Sequence, residues 1–183
     1  MGTKGGMVMR IHRPAAAVLA AMLLCALSAR AETVRFPETG DPAFVITTPD
    51  DWTHRPDGSG NLLLIAGNKS ASYALTVGPY KGTLDDLANG AMKTAGANPP
   101  QQMGPTKISG YRGYIYDTDL TNPSGVHVNV HMVAVKTGKS GMASITELTI
   151  DGIGADDYAA AQSVLTNTQI TRIVGGKTKH HRK

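Results

Sequence analysis

One cysteine, Cys25, stands in the 183 residues, inside an apolar run near the N-terminus. Without it the chain has no means of forming a disulfide, a thiol nucleophile or a thiolate metal site. No apolar run reaches the ~18 to 20 residues of a permanent transmembrane helix. There is no Gly-x-Ser-x-Gly elbow to support a serine hydrolase. No repeat at a solenoid period is present either.

Acidic residues are missing between Met1 and Ala31, which hold Lys4, Arg10, His12 and Arg13 followed by thirteen apolar residues, Ala15 to Leu27. A basic start, a short apolar stretch and small residues at Ser28-Ala29-Arg30-Ala31 make up an export signal, with Ala29 and Ala31 at the positions a signal peptidase reads. Cleavage after Ala31 is expected. Met7 and Met9 offer alternative starts. Cys25 follows Met22-Leu23-Leu24, whereas a lipidated cysteine wants a small residue just before it, so the cysteine is expected to leave with the signal. The mature protein is then periplasmic or secreted, has no transmembrane helix, and relies on an ordinary core.

Removing the signal revises the charge balance. The chain has 18 Lys+Arg against 14 Asp+Glu, and four of the basic residues lie before Glu32, which leaves 14 against 14. Four more are in Lys177 to Lys183, so residues 32–176 carry 10 basic against 14 acidic residues. The pI of about 9.2 is therefore no sign of nucleic-acid binding, which needs a basic face on the folded unit.

Residues 32–176 suit one domain with a real core. Periodicity predicts short strands at Thr33–Phe36 and Phe44–Thr47, then longer ones at Leu62–Ala66 and Ser72–Gly78 joined by the turn chemistry of Gly67-Asn68-Lys69-Ser70. Thr83 stands as an N-cap, Asp85 and Asp86 fill a first turn, and Leu84, Leu87, Ala88 and Ala91 keep helical spacing until Gly96 and Asn98-Pro99-Pro100. Strands are expected again at Tyr111–Leu120, Val126–Val135 and Met142–Ile150, with turns at Asn122-Pro123-Ser124-Gly125 and Thr137 to Gly141. In the middle strand Val126, Val128, Val130, Met132 and Ala134 share a face that belongs against a core.

A last helix is predicted from Ala155 to about Asn167, with an apolar stripe of Tyr158, Ala161, Val164 and Leu165. An edge strand at Gln169–Val174 closes the fold. The tail Lys177-Thr178-Lys179-His180-His181-Arg182-Lys183 has no apolar anchor and is expected to be disordered, open to contact with anionic surfaces. The fold class is thus α+β, an antiparallel sheet covered by helices.

The run Phe44-Val45-Ile46-Thr47-Thr48-Pro49-Asp50-Asp51-Trp52 resembles the opening of PsbP-like domains, the αβα-sandwich superfamily named for an extrinsic photosystem II subunit. The strand Tyr73 to Gly78 leading into Thr83-Leu84-Asp85-Asp86-Leu87, the hairpin Tyr111 to Val135 and the late helix follow the same order. The resemblance covers nearly all of Glu32 to Val174. It implies a noncatalytic binding or accessory module, since members are mostly non-enzymatic and many bacterial ones are exported proteins of unknown role. It carries no functional residue across.

Several local patterns have plainer readings. Gly138-Lys139-Ser140 resembles the end of a phosphate loop, but the first glycine of that motif would be Val133 and a strand follows, so a hairpin turn is expected. Asp117-Thr118-Asp119 starts like a calcium loop, yet Asn122 and Val128 stand where glycine and a bidentate glutamate are required. Trp52 reads as a core plug, and Asp50 and Asp51 as turn residues.

The polar set that stands out is His127, Asn129 and His131, opposite the valine stripe. The two histidines are about 13 Å apart along a strand, too far to chelate one metal ion together. Joined by Tyr114, Tyr116 and Arg112 of the preceding strand, they are the candidate ligand-binding residues. No cofactor or metal is expected. The partner is an unidentified protein or small molecule of the cell envelope, and the alternative function is an enzyme with its site on the His127/His131 face.

Overall fold

The computed structural model describes residues 31–172. The signal segment, its cleavage residues Ala29 and Ala31 (the former outside the described residues, the latter at their start), and the basic tail therefore lie almost wholly outside them. The elements in chain order are β1 (Glu32–Phe36), β2 (Phe44–Thr48), β3 (Thr53–Pro56), β4 (Leu62–Ile65), β5 (Ala71–Pro79), α1 (Leu84–Ala95), β6 (Gln101–Ile108), β7 (Tyr111–Thr121), β8 (His127–Lys136), β9 (Gly141–Ile150), α2 (Ala155–Asn167) and β10 (Gln169–Ile170).

Seven strands form one antiparallel sheet in the order β3-β4-β5-β9-β8-β7-β6. Its two edges are the strands that the periodicity missed. β3 (Thr-His-Arg-Pro) is exposed throughout, and β6 carries Gly104 and Pro105 beside a register shift between Gln102 and Gly104. An edge strand needs only one ladder of hydrogen bonds, so it tolerates proline, polarity and bulges that a central strand excludes. The remaining expected strands pair as adjacent antiparallel neighbours, except that β1 and β2 do not join the large sheet. They form a separate three-stranded sheet, β1-β2-β10, in which Gln169 and Ile170 pair with Val45 and Phe44. The expected closing strand is thus present over Gln169–Ile170 but ends before Thr171 and Arg172, and residues 173 and 174 lie outside the described ones.

Helix α1 lies on one face of the large sheet. Leu84, Ala88 and Met92 pack there against Tyr116, Val130, Met132, Ala134 and Met142. Its start is fixed by a full capping box: the Thr83 hydroxyl accepts from the Asp86 N–H at 3.0 Å, and the Thr83 N–H donates back to the Asp86 carboxylate at 3.0 Å. Those bonds hold the Asp86 carboxyl below its ordinary range. Gly96 ends the helix in the left-handed conformation at φ 72°.

The other face carries α2 and the small sheet together. Phe44, Ile46 and Ile170 from the small sheet, Ala161 and Val164 from α2, and Leu62, Leu64, Tyr73, Leu75, Val133, Val135 and Ile145 from the large sheet make the main core. Each fully buried aliphatic or aromatic side chain there contributes roughly 1.5–3 kcal/mol of burial free energy. Trp52 is part of this core, 7% exposed, with its ring centroid 5.7 Å from that of Tyr73. Two residues of the expected stripes stay outside: Val126 is 40% exposed ahead of β8, and Tyr158 on α2 is 49% exposed. The second half of β8, Met132 to Val135, is buried on both faces, because α1 covers one side and the main core the other.

Candidate functional site

Antiparallel pairing places opposed residues on one face of a sheet. The pairs Asp117–His131, His131–Glu147 and Glu147–Tyr73 therefore line up across β7, β8, β9 and β5 on the face that carries α2. The row begins half exposed, at Asp117 and His131, and ends inside the core. Glu147 is 3% exposed and Tyr73 fully buried.

A buried carboxyl needs internal partners, and here it has them. The Tyr73 hydroxyl donates to Glu147 Oε1 at 2.8 Å, and Gln162 Nε2 from α2 reaches both carboxyl oxygens at 3.3 Å. The same tyrosine oxygen lies 2.7 Å from the Ala161 carbonyl. Burial, followed by the Glu147 charge, pushes the Tyr73 hydroxyl far above the ordinary phenol value, so it remains a donor. At the open end His131 Nδ1 lies 2.6 Å from Asp117 Oδ1, which orients the ring and leaves its Nε2 for another partner.

A cleft of about 380 Å³ lies over this row, lined by Asp117, Asn129, His131, Glu147, Tyr158 and Gln162 among others. A second cleft of about 580 Å³ is lined by Lys107, Ile108, Ile115, Leu165 and Thr166 among others, and also by His131. The two clefts thus meet at the His131 side chain.

The register divides the residues expected to act together. His127 and Asn129 share the face of His131, and His127 Nε2 lies 3.3 Å from Asp119 Oδ2 farther out on the same face. Tyr114 and Tyr116, however, pair with Ala134 and Met132, on the valine-stripe face beneath α1. The expectation that they join the histidines in one surface does not hold, and neither does that for Arg112, which shares their face two residues before Tyr114. Tyr116 is buried at 2% exposure, and its hydroxyl donates to Asp85 at 2.7 Å. Tyr114 and Arg112 open into a different cleft.

Asp117, Glu147, Gln162 and Tyr158 were missed as site residues. The first had a legible signal: the Asn122-Pro123-Ser124-Gly125 turn pins the β7–β8 register and so sets Asp117 opposite His131. Among the described residues, no three His, Cys, Asp or Glu side chains are placed to hold a metal ion. No helix among them is long and apolar enough to cross a membrane.

No family model matches the chain, and no curated protein does. Solved structures do. One is cyanobacterial PsbP (CyanoP) from Synechocystis sp. PCC 6803, at 12% identity and a TM-score of 0.52, covering 80% of this chain and 97% of that one. Another is LpqN, involved in cell envelope biogenesis of Mycobacterium tuberculosis, at 14% identity and a TM-score of 0.51, covering 78% of this chain and 92% of that one. A Bacteroides thetaiotaomicron protein is matched over 70% of this chain at 15% identity and a TM-score of 0.47, and the chain spans 45% of its length. Such identities speak to architecture, and the architecture is plain: the chain has a PsbP-like fold, the αβα sandwich that its element order resembles.

Proposed function

We propose that this is an exported, noncatalytic binding or accessory protein of the cell envelope, working as residues 32–176 after cleavage following Ala31. The PsbP-like fold and the envelope role of LpqN favour that setting. The binding site of this reading is the groove around His131. The observation that carries it is the meeting of two clefts, each of mixed polar and apolar lining, at that side chain, which suits a small amphipathic ligand. The polar end offers chiefly acceptors and neutral amides, from Asp117, Asn129 and Gln162, so the fitting head group is a hydrogen-bond donor such as an amine or amide. The second cleft offers the aliphatic side chains of Ile108, Ile115 and Leu165, interspersed with threonines and Lys107.

Titrating the protein with short alkylamines and with alkylcarboxylates of the same length, followed by amide chemical shifts, tests this. The amines are expected to shift resonances around His131, and Gln162→Ala and Leu165→Ala to weaken binding about tenfold each, the scale of one lost charge-assisted hydrogen bond or one lost apolar contact. Equal, diffuse shifts with both series would defeat the proposal.

A second reading rests on the Asp117–His131 geometry, in which a carboxylate orients an imidazole as in a general-base pair. It makes the protein an enzyme of the same face. Screening against hydrolase and transferase substrates separates the two readings. Turnover lost in both His131→Ala and Asp117→Asn would establish the enzyme.

A further inference from the structure

On the opposite face of the sheet lies a second cross-strand row, of the other sign. Lys107 of β6 is directly opposite Arg112 of β7. Continuing the β7–β8 register one residue beyond Gly113–Val135 sets Arg112 opposite Lys136. All three cations line one cleft of about 490 Å³, together with Leu84, Pro105 and Tyr114. Lys107 and Arg112 are exposed, and Tyr114 is 41% exposed on the same face.

Like charges placed directly opposite on a sheet destabilise it, and proteins ordinarily relieve them with interleaved carboxylates. Here that relief is absent. Among the described residues none of the three cations forms an ion pair. Lys136 is held by the Gly82 carbonyl at 2.6 Å and by the Tyr80 ring at 5.5 Å. The Asp86 carboxylate acts on Lys136 only as a charge without forming an ion pair, and one of its oxygens accepts from both the N–H and the hydroxyl of Thr83. This concentration of positive charge occurs in a domain with more acidic than basic residues.

We propose that the Lys107–Arg112–Lys136 row is an anion-binding site that takes a phosphate-bearing group, with the Arg112 guanidinium and the Lys107 ammonium as its principal donors. A guanidinium offers two parallel N–H donors to phosphate oxygens, and an ammonium beside it supplies a point charge. The Tyr114 hydroxyl, one register step along the same face, stands where the rest of the ligand emerges. The phosphate comes either from a soluble phosphate compound or from an anionic lipid headgroup.

The test uses the full chain, wild type beside Arg112→Gln and Lys107→Gln, with inorganic pyrophosphate as the soluble probe. Vesicles of phosphatidylglycerol serve as the lipid probe, with phosphatidylcholine vesicles as control. The apolar N-terminal segment and the basic tail are common to all three proteins, so only the difference between them is read. Pyrophosphate binding by calorimetry, weakened roughly tenfold by either substitution, supports a soluble phosphate ligand. No response to pyrophosphate, with retention on phosphatidylglycerol vesicles reduced in both variants, supports a headgroup. If neither probe distinguishes the variants from wild type, the proposal fails. Both substitutions are at exposed positions and relieve a repulsion, so thermal midpoints at or above that of wild type confirm that any lost binding is not lost folding.

Discussion

Two cross-strand rows, one on each face of the same seven-stranded sheet, differ in sign and in depth. Asp117–His131–Glu147–Tyr73 runs from the surface into the core beneath α2, and each inner member finds a partner within the protein. Lys107–Arg112–Lys136 stays at the open end of the sheet beside α1, and among the described residues Lys107 and Arg112 have no carboxylate partner. The contrast follows from solvation. A polar group that enters a core is costly unless satisfied there, so the first row is locked by its own bonds. Water satisfies the second, which leaves its donors free for a ligand.

The largest expected effect breaks both rows at once. Gly113 lies between Arg112 and Tyr114, and a Cβ there would run into the backbone carbonyl of Ala134. Gly113→Ala should therefore force β7 from β8 and cost about 3 kcal/mol, as overpacking does, seen as a lower midpoint in denaturant. Next is the buried end of the acidic row. Tyr73→Phe removes the strongest partner of Glu147 and should cost about 2 kcal/mol, whereas Tyr114→Phe on the other face should cost almost nothing.

Tyrosine ionisation sharpens the same distinction. Tyr73 and Tyr116 have hydroxyls raised above the ordinary phenol value by burial first and then by Glu147 and Asp85 respectively. The unfolded chain loses those protons near pH 10 and the folded chain keeps them. Stability is therefore fully present below about pH 10 and falls as pH rises beyond it, and the slope of melting temperature against pH should be shallower in Tyr73→Phe.

Loss of the α1 cap is a smaller perturbation. Thr83→Ala should cost about 1 kcal/mol and loosen the helix beside the basic row while leaving the His131 groove unchanged in amide exchange. Smallest is Lys107→Gln, which relieves the opposition to Arg112 and should raise stability by about 0.3 kcal/mol. A decrease there would show that the basic row is not a repulsive one.

Much of the architecture was legible because it depends on local signals. The α1 cap at Thr83, the stop at Gly96 and the turns at Asn68 and Asn122 are written in residue types that favour one backbone shape. The edge strands β3 and β6 escaped notice because an edge makes few demands on its residues. The site was legible in part. His131 stood out by alternation, but its partners Glu147 and Gln162 belong to elements distant in sequence, and nothing local announces that they meet. Tyr114, Tyr116 and Arg112 were assigned to the wrong face because side-chain direction alternates with every residue, and a face is known only once the register to the neighbouring strand is known.

By itself the sequence determined the order of both helices and of every strand except β3 and β6, the alternation that makes β8 two-faced, and the charge balance that leaves residues 32–176 mildly acidic. Tertiary structure decided which strands became edges, that β1 and β2 leave the large sheet to pair with β10, and which polar residues stand side by side. The reason is physical. Propensity and patterning act over a few neighbouring residues, whereas the two rows arise from pairings across as many as four strands. The sign of each row was present in the chain, and folding alone brought its members together.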